Sequence, residues 1–303
     1  MIIWRITDGK AGHDSQSRGL IQALNACTAC TSFEVDAPSV LSILIDFLCR
    51  RFSAAVDLPN PDLIIGAGHA THLPMLAARQ ARGGKVVVLM QPSLPLHWFD
   101  LCLIPKHDDP KTINNVIVTE GPLNQIIPST EHRTDQGLIL LGGPSRHYEW
   151  SANEIIEQIK MIIKKDPRRW VLTDSPRTPD ITRHSLLQLG NDSALTYQPY
   201  TECGPDWLPQ QLRFTGTVWV SRDSMSMIYE ALTSGAAVGV LDVPRKKNDR
   251  IIHAVDTLIN TKQVISYQNW HKGASLFPPA TPLHEAKRCA RLILERLSLI
   301  KNG

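Results

Sequence analysis

Short β-branched, apolar runs recur along the chain, and most are followed by a stretch whose apolar residues return every three or four positions. Ile2-Ile3-Trp4-Arg5-Ile6 opens the series. Strand patterns then fall at residues 32–35, 62–65, 85–90, 101–104 and 115–118, with helical patterns at 15–25, 40–52 and 73–82. Such alternation predicts a parallel sheet flanked by helices. A polar stretch from Pro128 to Asp135 interrupts it, has the composition of a linker and is expected to divide the chain. Beyond it strands are predicted at 137–141, 170–173, 217–220 and 237–241, and helices at 153–164, 179–189, 226–233 and 283–299. The expected fold class is α/β, with two Rossmann-like domains, 1–130 and 136–303, facing each other across a cleft. The last helix, about 283–299, has the option of packing back on the first domain.

Composition narrows this picture. A chain of 303 residues, 43% hydrophobic and 20% charged, suits two ordinary globular domains. The net charge of +3 fits an anionic small molecule or a membrane surface and is too small for a nucleic-acid binder. No signal-peptide pattern precedes the first strand, and no apolar run reaches the ~18–20 residues of a membrane span. A cytoplasmic protein is expected, with peripheral attachment to the inner face of a membrane left open. The helix at 40–52 bears on this choice: Ser42, Asp46 and Arg50 form one narrow polar stripe on an otherwise apolar surface. Burial against the sheet is the expectation, and the alternative is a membrane surface with Arg50 and Arg51 at the head groups. Of six cysteines only Cys27 and Cys30 have C-x-x-C spacing, and no second pair completes a zinc site. Asp108-Asp109 reads as a solvated loop. Neither metal nor cofactor is expected.

Ligands of such sheets lie at the carboxyl ends of the strands, and four turns there carry chemistry. In "TDGKAGHDSQSRGL", Gly9 and Gly12 allow close backbone approach, Lys10 adds a cation, and Asp14 or Ser15 is placed to cap the next helix. "IIGAGHATHLP" sets Gly66 and Gly68 before His69 and His72. "LILLGGPSRHYEW" follows a buried strand with Gly142, Gly143, Ser145, Arg146 and His147; free amides at a Gly-rich turn entering a helix suit a phosphate. "RDSMSMIYEALTSG" supplies Arg222, Ser224 and Ser226, with Glu230 one turn along the helix to accept ribose hydroxyls. "DVPRKKNDR" adds Arg245, Lys246 and Lys247 for charge, and Asn248 and Asp249 for sugar hydroxyls. Taken singly, each has a plainer reading as turn chemistry, capping or a solvated face. A dinucleotide site would want G-x-G-x-x-G, and the first loop offers only Gly9-x-x-Gly12, although Asp36 stands where a ribose-binding acid belongs.

Taken in order, "DGKAGH", "IIGAGHATHLP", "VLMQPSLPLHWFDLCLIPKHD", "LLGGPSRHY" and "RDSMSMIYEALTSG" resemble the mitochondrial fission (elongated-mitochondria) family of plants and its bacterial relatives. That family is similar to GT-B glycosyltransferases and, more distantly, to the peptidoglycan N-acetylglucosaminyltransferase. The resemblance implies a GT-B-like fold. It places Gly12-His13 at the end of the transferase's Gly-rich loop and Ser224 with Glu230 in its donor motif. Asp8-Gly9-Lys10-Ala11 stands where the transferase has mostly glycine, Asp223 is extra, and Met225 replaces a small residue. The function so implied is a metal-independent glycosyltransferase moving a sugar from a nucleotide-diphosphate donor to a hydroxyl acceptor in cell-envelope or lipopolysaccharide glycan synthesis. The acceptor is expected to be lipid-linked or membrane-associated. His13 is the first choice of base and Asp8 the second; the donor diphosphate falls to Gly142, Gly143, Ser145 and Ser224, with Arg146, Arg177, Arg222 and Lys246 as cations. The alternatives are a GT-B-like nucleotide-sugar epimerase or hydrolase, and the non-catalytic adaptor role implied by the plant members.

Overall fold

The computed structural model describes residues 1–189, 194–247 and 249–299. The chain divides into two compact units. One comprises Met1–Gln125 together with the segment from His284, and the other Ile126–Leu283.

In the first unit the order is β1 (Ile2–Thr7), α1 (Ala11–Cys27), β2 (Thr31–Asp36), α2 (Val40–Leu48), β3 (Leu63–Ala67), α3 (His72–Arg82), β4 (Lys85–Leu89), β5 (Leu101–Pro105) and β6 (Val116–Thr119). All the strand pairings are parallel, in the order β2-β1-β3-β4-β5-β6. The chain reverses its winding direction at β1 and β3, so the crevice for a ligand opens at their carboxyl ends. β3 is buried at every position because helices cover both faces. Alternation along β1 sends Ile3 to one face, with Leu20 and Leu24 of α1, and Trp4 and Ile6 to the other, with Met75 and Leu76 of α3.

The second unit runs β7 (Arg133–Leu140), α4 (Ala152–Lys165), β8 (Arg169–Thr173), α5 (Asp180–Leu189), β9 (Leu195–Gln198), α6 (Trp207–Phe214), β10 (Thr215–Ser221), α7 (Met225–Ser234), β11 (Ala237–Leu241), α8 (Arg250–Asn260), β12 (Ile265–Ser266) and α9 (Tyr267–His271). Its parallel sheet has the order β12-β11-β10-β7-β8-β9, which puts the switch point at β7 and β10. The last helix, α10 (Glu285–Arg296), belongs to the first unit. It turns Ala286, Cys289, Ala290, Ile293 and Leu294, spaced as one helical stripe, onto Leu20 and Leu24.

Three sequence expectations are corrected. The polar stretch at 128–135 is not wholly linker, since Arg133–Asp135 form the exposed start of β7. The first helix starts at Ala11 rather than 15, so Asp14 and Ser15 lie inside it and Lys10 takes the cap position; Asp14 accepts from Arg5 and the Thr7 hydroxyl. The helix predicted at 40–52 ends at Leu48, beyond which Arg50 takes a left-handed conformation with φ 50°. Nor is it buried against the sheet: only Ile43 and Asp46 face inward, and most of its apolar side chains are exposed.

Candidate functional site

In the first unit the loops after β1 and β3 meet at the switch point. β1 ends at Thr7, and α1 begins four residues later, which places His13 in its first turn. There His13 Nδ1 lies 2.9 and 3.0 Å from the two oxygens of Asp8. The Asp8 side chain is 5% exposed and that of His13 20%, so the acid is enclosed while the imidazole retains access to solvent. A carboxylate beside Nδ1 selects the tautomer with the proton there and leaves the Nε2 lone pair free to take a proton. Asp8 also accepts from the Lys10 amide, and the Lys10 ammonium stands 3.6 Å away. Gly68, after β3, supplies the room. Its φ is +88°, and a Cβ there would lie 2.3 Å from Cε1 and Nδ1 of His13. His72 is buried, bonds Ser93 Oγ through Nδ1 and is pushed down to about 4 by burial, with the His69 and His13 charges adding. It is a neutral packing residue at pH 7, whereas His69 is exposed. Gly9 and Gly12 are exposed beside them.

In the second unit the loops after β7, β8 and β10 interlock, and this revises the phosphate reading. No helix follows Gly142-Gly143 directly; α4 starts at Ala152 behind a Ser151 cap. The two amides expected to be free are occupied: Gly142 N–H donates to Ser221 Oγ at 2.7 Å and Gly143 N–H to Asp223 Oδ2 at 2.9 Å. A Cβ at Gly142 would strike Asp223, and one at Gly143 the Arg177 carbonyl, each at 2.1 Å. These glycines therefore let two loops touch. Ser145 is a turn residue, its hydroxyl accepting from the His147 and Tyr148 amides, and Arg146 is exposed. Arg222 is held by Asp242 at 3.5 Å and Asp256 at 2.8 Å. Asp249 caps α8 and bonds His147 Nδ1 at 2.5 Å, so its oxygens are committed to the fold rather than to sugar hydroxyls. Lys246 donates to the Ser145 carbonyl, and Asn248 lies outside the described residues.

An anion is better served at the start of α7. Among the described residues no side chain caps that end; Ser224 stands at the cap position, and Ser226 in the first turn is exposed. The free amides and dipole of a helix start favour negative charge. Arg177 reaches this corner, bonding Asp223 Oδ2 at 2.8 Å and the Gly143 carbonyl at 2.9 Å while remaining 42% exposed. Glu230, one turn beyond Ser226, is 9% exposed.

Asp223 is the residue that sequence reasoning missed. Its side chain is fully buried; burial raises its pKa, offset in part by the Gly143 amide and the Arg177 charge. The signal was present, because an acid directly ahead of a serine at a helix start exceeds what capping requires.

Comparison with known proteins fits this architecture. The sequence profile of the family described as Mitochondrial fission ELM1 matches residues 11–297. The chain belongs to that family. Within reach of sequence comparison, this ELM1-family chain is 21% identical to Uncharacterized protein RP120 of Rickettsia prowazekii (strain Madrid E), over 364 aligned positions that take in all of both chains. Several solved structures share its fold. UDP-GlcNAc 2-epimerase from Methanocaldococcus jannaschii is 12% identical, with a TM-score of 0.58 over 97% of this chain and 100% of that one. E. coli ADP-heptose lps heptosyltransferase II is 11% identical, with a TM-score of 0.50 over 87% and 100%. The fold is GT-B, built from two parallel-sheet α/β units, and its neighbours are nucleotide-sugar enzymes.

Proposed function

We propose that this protein is a glycosyltransferase that moves a sugar from a nucleoside-diphosphate donor to the hydroxyl of a lipid-linked or membrane-associated acceptor, in cell-envelope or lipopolysaccharide glycan assembly. The observation that carries this reading is the Asp8–His13 pair at the β1/β3 switch point, an enclosed carboxylate spent on orienting a reachable imidazole. Such a pair has little value for packing and much for proton transfer at neutral pH.

In the reaction proposed, the acceptor oxygen attacks the anomeric carbon and the bond from that carbon to the diphosphate breaks. The diphosphate leaves with the electron pair, and His13 Nε2 takes the acceptor's proton. Charge growing on the leaving group is met by the amides opening α7, the Ser224 and Ser226 hydroxyls and the Arg177 guanidinium, with Arg146 and Lys246 as outlying cations. Glu230 accepts from the ribose hydroxyls.

A thermal-shift screen with nucleoside diphosphates and their sugars tests the donor half. A ligand at about 100 times its Kd stabilises by about 2.7 kcal/mol. Ser224→Ala with Arg177→Ala is expected to weaken that ligand, whereas His13→Ala leaves its affinity intact and lowers turnover about 10²–10⁴-fold. If no nucleoside diphosphate moves the melting point, the proposal is lost. An epimerase is the second reading, supported by the higher TM-score of the M. jannaschii enzyme. Product analysis without added acceptor separates the two, since only an epimerase yields an isomerised nucleotide sugar.

A further inference from the structure

No helix among the described residues is long and apolar enough to cross a membrane, but α2 is arranged to lie on one. Ser39 caps it, accepting from the Ser42 amide. Of its nine residues, the ones turned inward are Ile43 and, against ordinary amphipathic logic, Asp46. That carboxylate is 1% exposed and fully engaged, accepting from the Ser53 amide at 2.9 Å, the Ser53 hydroxyl at 2.7 Å and Arg51 Nε at 3.3 Å. Apart from Ser42, the outward surface is apolar: Val40, Leu41, Leu44, Ile45, Phe47 and Leu48 are between 44% and 83% exposed.

We infer that the outward face of α2 docks on a lipid bilayer carrying anionic head groups, sinking its apolar side chains into the interface with Arg50 and Arg51 at phosphate level. Three features favour lipid over a protein partner. The helix's single acid is withdrawn from the exposed face, which leaves nothing there to repel an anionic surface. Cationic Arg50 and Arg51 are both exposed and follow directly where the chain leaves the helix, as in helices that lie in the plane of a membrane. Six protruding side chains on one short helix fall well short of the about 20–30 residues a side that stable protein pairs bury, while two copies brought together there would oppose their arginines.

This inference stands apart from the donor reading, since lipid binding is measured whether or not a sugar is transferred. The full chain is floated with phosphatidylcholine vesicles with and without phosphatidylglycerol. The expected result is recovery with the anionic vesicles and several-fold less with the neutral ones. Leu41→Asp, Leu44→Asp and Leu48→Asp combined are expected to cut recovery more than about tenfold with no loss of melting temperature, because all three positions are exposed. Arg50→Glu alone weakens binding about fivefold or more. Wild-type protein that fails to float, a triple variant that floats like wild type, or equal recovery with both vesicles overturns the inference. So does a wild-type dimer in sedimentation that the triple variant converts to monomer without any lipid binding, since a second copy is then the occupant.

Discussion

Replacing Gly68 by alanine probes how the Asp8–His13 pair is held. Gly68 sits at φ +88° and ψ 158°, a region residues with a Cβ all but avoid, at a cost of about 1–3 kcal/mol. The added methyl also falls 2.3 Å from Cε1 and Nδ1 of His13. Asp8 already lies 2.9 Å from Nδ1, so the ring cannot retreat toward it and must rotate out of the hydrogen bond. A loss of about 2–3 kcal/mol follows, and at about 2–4 °C per kcal/mol the melting temperature drops by about 4–12 °C. Turnover is expected to fall to that of His13→Ala. Calorimetry on a double-mutant cycle gives the sharper test. Once His13→Ala has removed the ring, only backbone strain remains, and Gly68→Ala costs at least about 1 kcal/mol less than in wild type. Effects that add within about 0.5 kcal/mol would mean the two residues do not touch, and the account of the pair would be wrong.

Burial holds His72 down to about 4 from its ordinary 6.5, with the His69 and His13 charges adding. The unfolded chain then binds a proton that the folded chain refuses. Stability is complete above pH 6.5 and declines by about 3 kcal/mol as pH falls toward 4; urea midpoints across that window should flatten in His72→Gln, and coincident slopes would refute the assignment. Asp223→Ala strands the Gly143 amide and costs about 2 kcal/mol, read from the denaturant midpoint at constant m-value; an unchanged midpoint would show the contact to be idle. Ile293→Ala, in a fully buried position of α10, is expected to cost about 2–5 kcal/mol, and a loss below about 1 kcal/mol would contradict the packing of that helix on α1.

Strands buried on both faces were the easiest part of the chain to read. β3, β4 and β11 are nearly continuous apolar runs, and that signal survives without knowledge of tertiary partners. Elements with mixed composition at the sheet margin, such as β9 and the short β12, carry no comparable pattern. α2 misled for a physical reason: a narrow polar stripe on an apolar helix predicts burial of the wide face, whereas here Ser53 and Arg51 satisfy Asp46, which turns inward beside Ile43 while Ser42 and most of the apolar side chains stay exposed. At the site, Asp8, His13 and Gly68 each stood out in their own turns. Their mutual contact did not, because it depends on α1 starting at Ala11 with no side chain to mark the cap. Gly142 and Gly143 were legible as a close approach; what approaches is Asp223 and Arg177, distant in sequence, so the partner was mistaken for a ligand.

The placement of α10 bears on biogenesis. Because its apolar stripe completes one side of the core around Leu20 and Leu24, the first 125 residues emerge from the ribosome lacking a wall that is translated only after the whole second unit. The middle of the chain, by contrast, holds every strand of its own sheet in one uninterrupted stretch and can fold as soon as it is released. The first unit is therefore expected to complete its core after the second, although its strands are made earlier. A nascent chain stalled just before residue 284 should therefore expose unsatisfied hydrophobic surface on α1, and chaperone demand should concentrate there.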